Sequence, residues 1–90
     1  LTGLMRSLAV QYGPHGITSN AIAPGMFATE ANAGMVEDAA TTDIVRRRVP
    51  AGRWGRPDEI AGAALFLAGD AASYVNGQVI TVDGGMTVRM

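Results

Sequence analysis

Apolar residues recur every three to four positions at the start of the chain, which is typical of an amphipathic helix. The positions are Leu1, Leu4, Met5, Leu8 and Tyr12. Gly13 and Pro14 follow and favour the end of a helix, so we predict a helix over residues 1–12. Leu1 already lies on the apolar face without a capping Ser, Asp or Asn before it. We therefore expect the sequence to begin inside a helix, as a truncated chain would.

Two short apolar segments are bounded by turn residues and predict β-strands. Residues 17–23 lie between Gly16 and Pro24, and residues 77–85 contain a second strand that is ended by two glycines. Apolar runs of this length suit strands that are buried on at least one face.

The stretch between the two strands predicts a helical crossover. Residues 28–49 have a weak pattern that supports short helical turns and a mobile excursion over a site, and residues 50–56 are rich in turn residues. Pro57 then begins a helix that runs to about Gly69, because proline suits the first helical turn. Helix, strand, helical crossover and strand form half of a parallel α/β sheet. Two parallel strands cannot bury both faces and both edges, so we expect this unit to need an N-terminal portion or a partner chain.

Composition narrows the range of functions. The 90 residues are 48% hydrophobic and 17% charged, which allows at most one globular unit with little polar surface. The formal net charge of -1 and the absence of a basic stripe argue against nucleic acid as a partner. The chain has no cysteine and one histidine, which excludes disulfides, thiolate zinc sites and a multi-histidine metal cage. The absence of cysteine also fits a cytoplasmic protein. No apolar run approaches the length of a membrane span, about 20 residues, so we expect no membrane partner.

The end of the first predicted strand is the candidate functional site. Pro24 and Gly25 stop the strand, and Thr29 offers a hydroxyl shortly afterwards. Proline has no N–H for a ladder, and glycine allows another molecule to approach the backbone closely. In open α/β sheets, cofactors bind beyond the carboxyl ends of the parallel strands, so these residues are a candidate cofactor floor. The alternative is a plain turn in which Thr29 caps the next helical turn.

Four motifs occur in order along the chain. They are Leu-x-Gly-Leu-x-Arg-Ser-Leu-Ala, Gly-Ile-x-x-Asn-Ala-Ile-Ala-Pro-Gly-x-x-x-Thr, Gly-Arg-x-Gly-x-Pro-x-Glu-Ile-Ala and Asp-Ala-Ala-Ser-Tyr-x-x-Gly-Gln-x-Ile-x-Val-Asp-Gly-Gly. Together they resemble the C-terminal part of the short-chain dehydrogenase/reductase family. The resemblance implies an α/β fold, the C-terminal part of a Rossmann-type doubly wound parallel sheet. Residues 1–90 would be the C-terminal portion of a single NAD(P)-binding domain whose N-terminal portion is missing.

The resemblance also implies roles for particular residues. Pro24 and Gly25 would line the nicotinamide end of NAD or NADP. Phe27, through its backbone, and Thr29, through its backbone and hydroxyl, would contact the carboxamide and the nearby phosphates. A strand-end backbone and a hydroxyl can together satisfy the donor and the acceptor of a carboxamide.

A substrate and an assembly follow from the same resemblance. The substrate would be a secondary alcohol or a ketone, and the motifs are most similar to those of gluconate 5-dehydrogenase-like members, with 3-oxoacyl reductase-like relatives as the alternative. Met26 and Met35 would contact it as part of a soft apolar lid, for which core packing is the alternative. The turn at Asp83 with the tail to Met90 resembles a subunit contact, which implies a homo-oligomer, a tetramer in the intact protein.

Family features that the chain lacks limit what it can do alone. The phosphate loop Gly-x-x-x-Gly-x-Gly, the catalytic serine and the pair Tyr-x-x-x-Lys are absent, and the chain has no lysine. In the family that lysine lowers the pKa of the tyrosine, which can then exchange the proton of the substrate hydroxyl. We therefore assign no catalytic residue and predict an inactive chain that binds NAD or NADP only with the missing N-terminal portion. The second hypothesis is a non-catalytic fragment that associates through its strand edge and last helix.

Several polar and charged residues have structural interpretations. Asn20 lies inside a predicted strand, where we expect its amide to satisfy backbone groups of a neighbouring element. Residues 46–48 are three arginines, for which a solvated helix face is favoured over a site for an acidic substrate. Arg53 and Trp54 are expected to fix the packing of the crossover, with substrate contact by Trp54 as the alternative.

Overall fold

Four helices and two strands are formed by residues 1–88, the part of the chain that the computed structural model describes. The helices are α1 (Thr2–Tyr12), α2 (Ala33–Glu37), α3 (Ala39–Arg48) and α4 (Pro57–Ala68), and the strands are β1 (Ala21–Pro24) and β2 (Val79–Val82). Short 3₁₀ turns lie at Gly13–His15, Glu30–Asn32, Asp70–Ala72 and Met86–Val88. Residues 89 and 90, the end of the predicted subunit contact, lie outside the described residues.

The two strands pair in parallel, as predicted. Ala21 lies opposite Val79 and Pro24 lies opposite Val82, and the crossover between the strands contains α2, α3 and α4. Strand β2 lies within the predicted segment of residues 77–85. The parallel pair with its helical crossover confirms the predicted α/β class. None of the helices in residues 1–88 is long and apolar enough to cross a membrane.

Strand β1 begins later than predicted, because residues 17–20 do not pair as a strand, and it ends one residue later, since Pro24 still lies opposite Val82. The partner strand begins at Val79, so no strand lies opposite these residues. Instead, the Ser19 N–H donates to Asn76 Oδ1 at 2.9 Å. The Gly77 N–H donates to the Ser19 carbonyl at 2.8 Å. Turn and side-chain contacts therefore replace the ladder that the apolar pattern predicted.

Two asparagine side chains join these elements across the chain. Asn20 Nδ2 donates to the Val75 carbonyl at 2.9 Å, and Asn20 Oδ1 accepts the Gln78 N–H at 3.0 Å. Asn76 Nδ2 donates to the Ala9 carbonyl of α1 at 3.0 Å. The predicted structural role of Asn20 is confirmed, and Asn76 holds α1 against the same junction.

The crossover contains a longer helix than the weak pattern of residues 28–49 predicted. Asp38 caps α3, since its Oδ2 accepts the Thr41 N–H at 3.0 Å and the Thr41 hydroxyl at 2.5 Å. These hydrogen bonds from Thr41 lower the pKa of the Asp38 carboxyl. Val45 on α3 and Val49 directly after it are buried, which anchors the helix.

Arg53 and Trp54 connect the crossover helices, as predicted. The Trp54 Nε1 donates to Thr42 Oγ1 at 3.2 Å, and that hydroxyl donates to the Val36 carbonyl at 2.8 Å. The two Nη atoms of Arg53 donate to the two carboxylate oxygens of Glu59 at 2.7 and 2.9 Å. Helices α2 and α3 are thereby tied to the turn that leads into α4.

The buried core of residues 1–88 is small. It consists of Met5, Ala9, Val45, Val49 and Ala72. Larger apolar side chains on α1 and α4 are exposed, with Val10 at 80% and Leu65 at 74%. The radius of gyration is 15.7 Å, against about 12 Å for a compact domain of this length. Helices α1 and α4 therefore have apolar faces that the described residues leave uncovered.

Candidate functional site

Strand β1 ends at a close contact between Gly25 and Asp83, the residues that follow the two strands. The Gly25 N–H donates to the Val82 carbonyl at 2.9 Å, which continues the parallel pairing. A Cβ atom added at Gly25 would lie 2.5 Å from Asp83 Cβ and 2.8 Å from Asp83 Cα. The neighbouring strand therefore requires glycine here. Hydrogen bonds from Thr87 and Gly85 lower the pKa of the Asp83 carboxyl and hold that side chain in place.

The segment after this turn runs beside the crossover. Phe27 pairs in parallel with Gly55. The Gly55 N–H donates to the Met26 carbonyl at 2.8 Å, and the Ala28 N–H donates to the Gly55 carbonyl at 2.9 Å. A Cβ atom at Gly55 would lie 2.6 Å from Phe27 Cε1, so the ring packs directly on this glycine. The Phe27 N–H has no acceptor within residues 1–88.

Thr29 precedes the 3₁₀ turn Glu30–Asn32 and contacts the side chain of Asn32. The Thr29 N–H donates to Asn32 Oδ1 at 2.7 Å, and the Thr29 hydroxyl donates to the same oxygen at 3.0 Å. Asn32 Nδ2 donates to the Phe27 carbonyl at 2.5 Å. Sequence analysis missed Asn32, because a polar residue in an irregular turn has no periodic signal. The signal that could have found it is the spacing Thr-x-x-Asn, which suits a local side-chain contact to the backbone at a turn.

An open cavity of about 300 Å³ lies at the carboxyl end of β1. It is lined by Pro24, Gly25, Phe27, Thr29, Asn32 and Ile60. The four residues predicted to bind the cofactor thus line one cavity, to which the structure adds Asn32 and Ile60. None of the lining residues carries a formal charge, so the cavity offers shape and a few polar atoms to a ligand and no charged side chain.

The two residues predicted to bind substrate do not line this cavity. Met26 lines a smaller cavity of about 60 Å³ between the crossover and the end of β2. Met35 lies on α2 and is 51% exposed. Successive side chains of an extended segment point to opposite sides. Met26 therefore lies on the side opposite to that of Gly25 and Thr29.

The charged groups beside Ile60 are already paired. Arg53 binds Glu59 through two hydrogen bonds, and the Arg56 N–H donates to Glu59 Oε1 at 2.9 Å. These contacts, that from Arg53 first, lower the pKa of the Glu59 carboxyl to about 2. Glu59 in turn raises the pKa of the Arg53 guanidinium. A carboxylate with so low a pKa is a poor general base at neutral pH, so this group has a structural role.

Proton-transfer and metal-binding groups are not assembled in residues 1–88. In this part of the chain, no group of three His, Cys, Asp or Glu residues could hold a metal ion. The tyrosines are Tyr12 and Tyr74, and the sequence has no lysine to accompany either. The cavity can therefore position a ligand by shape and hydrogen bonds, while proton transfer needs groups from elsewhere.

Known proteins match this chain over almost all of its residues. A family model described as enoyl-(acyl carrier protein) reductase matches residues 1–87. The chain belongs to the short-chain dehydrogenase/reductase family. The gluconate 5-dehydrogenase of Gluconobacter oxydans is 49% identical over 87 residues, which are 97% of this chain and 34% of that protein.

Two further members support the fold of this short-chain dehydrogenase/reductase chain. The 5-keto-D-gluconate 5-reductase of Escherichia coli K12 is 48% identical over 97% of this chain and 34% of that protein. The crystal structure of a gluconate 5-dehydrogenase from Burkholderia cenocepacia, in complex with NADP and tartrate, is 46% identical with a TM-score of 0.90. That match covers 99% of this chain and 35% of the other. The predicted Rossmann-type architecture is confirmed, and the chain spans about a third of the length of the relatives it matches.

Proposed function

We propose that the chain forms one wall of the active site of an NAD(P)-dependent oxidoreductase, which interconverts a secondary alcohol and a ketone on a sugar acid such as gluconate. The observation that carries this proposal is the cavity at the end of β1, which brings Pro24, Gly25, Phe27 and Thr29 together. The names of the Gluconobacter and Escherichia relatives, which refer to gluconate and 5-keto-D-gluconate, support the choice of substrate.

In this proposal the cavity receives the nicotinamide end of the cofactor. The Phe27 N–H is a donor without a partner in residues 1–88, and Thr29 Oγ1 keeps one lone pair beside its capping box with Asn32, so the two match the oxygen and the NH₂ of a ring carboxamide. Pro24 and Gly25 line the cavity at the strand end, where a flat ring would lie against them. The cofactor, when bound, supplies or accepts the hydride. The residues of this chain fix the position of the ring.

Met26 and Met35 remain proposed substrate contacts. Met35 is half exposed on α2, which directly follows the turn that contains Asn32. A flexible thioether side chain in that place can adapt to a substrate beside the ring. Met26 directly precedes Phe27 and lines the smaller cavity.

The proposed activity requires a second segment. The phosphate loop, the tyrosine and the lysine of the family are absent from this sequence, and the apolar faces of α1 and α4 are uncovered. We propose that residues 1–90 are the C-terminal portion of a single NAD(P)-binding Rossmann domain, and that the portion N-terminal to them supplies these groups. The intact protein would be a homo-oligomer, a tetramer, in the cytoplasm.

A chimeric enzyme tests this proposal. The chain replaces the matching 87-residue segment of the Gluconobacter gluconate 5-dehydrogenase, and gluconate oxidation is followed by the absorbance of the reduced cofactor. We expect turnover by the chimera with NAD or NADP, and neither turnover nor tight cofactor binding by the chain alone. The unmodified Gluconobacter enzyme is the control.

A different experimental result would contradict each part of the proposal. A folded chimera that binds neither NAD nor NADP would overturn the cofactor role. Turnover by the chain alone would overturn the need for a second segment. A chimera that prefers a 3-oxoacyl thioester to gluconate would overturn the choice of substrate.

A non-catalytic interaction role is the second candidate. The uncovered apolar faces of α1 and α4 favour it, because large exposed apolar patches mark sites of association. In that case the chimera would fold without binding either cofactor, which distinguishes the two candidates.

A further inference from the structure

Asn32 holds the polar groups of the cavity wall together. Its Oδ1 accepts the Thr29 N–H at 2.7 Å and the Thr29 hydroxyl at 3.0 Å, and its Nδ2 donates to the Phe27 carbonyl at 2.5 Å. Asn32 is half buried and lines the cavity itself. Three polar groups in the wall therefore depend on one side-chain amide.

These contacts fix the direction of the Thr29 hydroxyl. The Thr29 N–H can only donate and the Phe27 carbonyl can only accept, so the Asn32 amide fits in a single orientation. Its oxygen therefore faces the Thr29 hydroxyl, and an amide oxygen has no hydrogen to donate. The hydroxyl hydrogen consequently points at Asn32. The Thr29 side chain also faces the main-chain N–H of Asn32 in a capping box, so one lone pair of Thr29 Oγ1 is left for a ligand.

We propose that Asn32 is a positioning residue that makes Thr29 an acceptor for the NH₂ group of the nicotinamide carboxamide. The inference rests on the proposed function, because it concerns the ligand of the same cavity. The Phe27 N–H, which has no acceptor within residues 1–88, is the matching donor for the carboxamide oxygen. Without Asn32 the hydroxyl is free to rotate, and the preference for an NH₂ group over a group without donors falls.

Two cofactors that differ only at the carboxamide test this role. In 3-acetylpyridine adenine dinucleotide, or its phosphate, a methyl group replaces the NH₂ and the carbonyl oxygen is kept. In the chimera, Asn32→Ala should raise the Kd for NAD or NADP about fivefold to tenfold, as expected for the loss of a hydrogen bond. The Kd for the acetylpyridine analogue should change less than about twofold, because the analogue never makes that bond.

Two control variants separate positioning from general damage. Asn32→Asp keeps an oxygen that accepts both Thr29 hydrogens but has no N–H to donate to the Phe27 carbonyl. The lost donor affects the binding of both cofactors, so both Kd values should rise while their ratio stays close to that of the unsubstituted chimera. The added charge acts on both pyridinium rings alike and cancels in the ratio. Asn76→Ala disturbs the junction with α1, away from the cavity, and should lower stability without changing the ratio.

The outcomes distinguish this inference from the proposed function. An equal rise of both Kd values in Asn32→Ala, or a loss of discrimination in Asn32→Asp as large as in Asn32→Ala, would overturn the positioning role. Should Asn32→Ala fail to fold, Asn32→Leu has a similar shape and gives the same comparison. A folded, unsubstituted chimera that binds neither NAD nor NADP would instead overturn the proposed function.

Discussion

Replacing Gly25 by alanine is expected to force the ends of the two strands apart. The added Cβ would lie 2.5 Å from Asp83 Cβ and 2.8 Å from Asp83 Cα, whereas non-bonded carbon atoms pack at about 3.5–4.0 Å. The strand ends must therefore separate by about 1 Å. The hydrogen bond from the N–H of residue 25 to the Val82 carbonyl, now 2.9 Å, would then exceed the normal hydrogen-bond range.

The expected loss of stability combines strain with a lost hydrogen bond. Overpacking costs about 1–3 kcal/mol and a main-chain hydrogen bond contributes about 1 kcal/mol. We therefore expect Gly25→Ala to lower the free energy of unfolding of the chimera by about 2–4 kcal/mol. Urea unfolding followed by circular dichroism measures this loss. Because Gly25 lines the cavity, cofactor affinity should fall as well.

The matched control is the same substitution at Gly62. This residue lies inside α4, and a Cβ atom there would have nothing from residues 1–88 within 4 Å. Alanine is favoured over glycine in a helix by about 0.5–1 kcal/mol, so Gly62→Ala should not destabilise the protein. A Gly25→Ala variant as stable as the unsubstituted chimera would refute the reasoning, since the strand ends would then separate without cost.

Substitutions of other side chains test particular hydrogen bonds and ion pairs. Asn76→Ala removes two hydrogen bonds to the main chain and should lower the free energy of unfolding in urea by about 1–3 kcal/mol; Asn76→Asp should not restore it fully, because a carboxylate cannot donate. Arg53 holds the pKa of Glu59 at about 2, so the stability from this pair is complete above the ordinary glutamate pKa of about 4.3 and is lost as the pH falls towards 2. Unfolding midpoints measured between about pH 4.3 and pH 2 should show that the unsubstituted protein loses the stability contributed by this pair. The Glu59→Gln variant has no such contribution to lose. Thr42→Val removes the acceptor of the Trp54 indole and should change the emission of this single tryptophan; unchanged emission would contradict the contact.

Local sequence signals predicted most of the secondary structure. The wrong start of β1 arises from contacts between distant parts of the chain, which such signals do not contain. Strand β2 ends where predicted because an Asp-Gly-Gly turn follows it, and α4 begins at Pro57. The predicted start of β1 was wrong, because the length of a strand depends on its partner and β2 offers pairing only from Val79 onwards. The length of α3 was underestimated because few of its residues are buried, which leaves a weak apolar pattern. Its start is marked only by the capping residue Asp38.

The candidate site was predictable to a similar extent. Pro24, Gly25, Phe27 and Thr29 belong to one sequence motif, and the structure places them around one cavity. Their role in binding stays a prediction. Asn32 carries no signal in the apolar pattern, since its importance lies in three hydrogen bonds within one turn. The sequence analysis explained glycine at position 25 by a turn and by a ligand. The structure adds a further reason, the end of the neighbouring strand at Asp83. That contact joins distant parts of the chain, so no local pattern could predict it.

The uncovered helices and the uncharged cavity have a common explanation in the proposed enzyme. The cavity of about 300 Å³ is at the small end of the range for ligand pockets, about 300–1,000 Å³, and its lining residues carry no charge for a pyrophosphate. In doubly wound sheets the phosphate-binding turn lies at the carboxyl ends of the strands, the same edge as this cavity. A segment that completes the sheet would cover the apolar faces of α1 and α4 and would bring that turn to this edge. Completion of the fold and completion of the dinucleotide site would therefore be one event, to which this chain contributes the nicotinamide side.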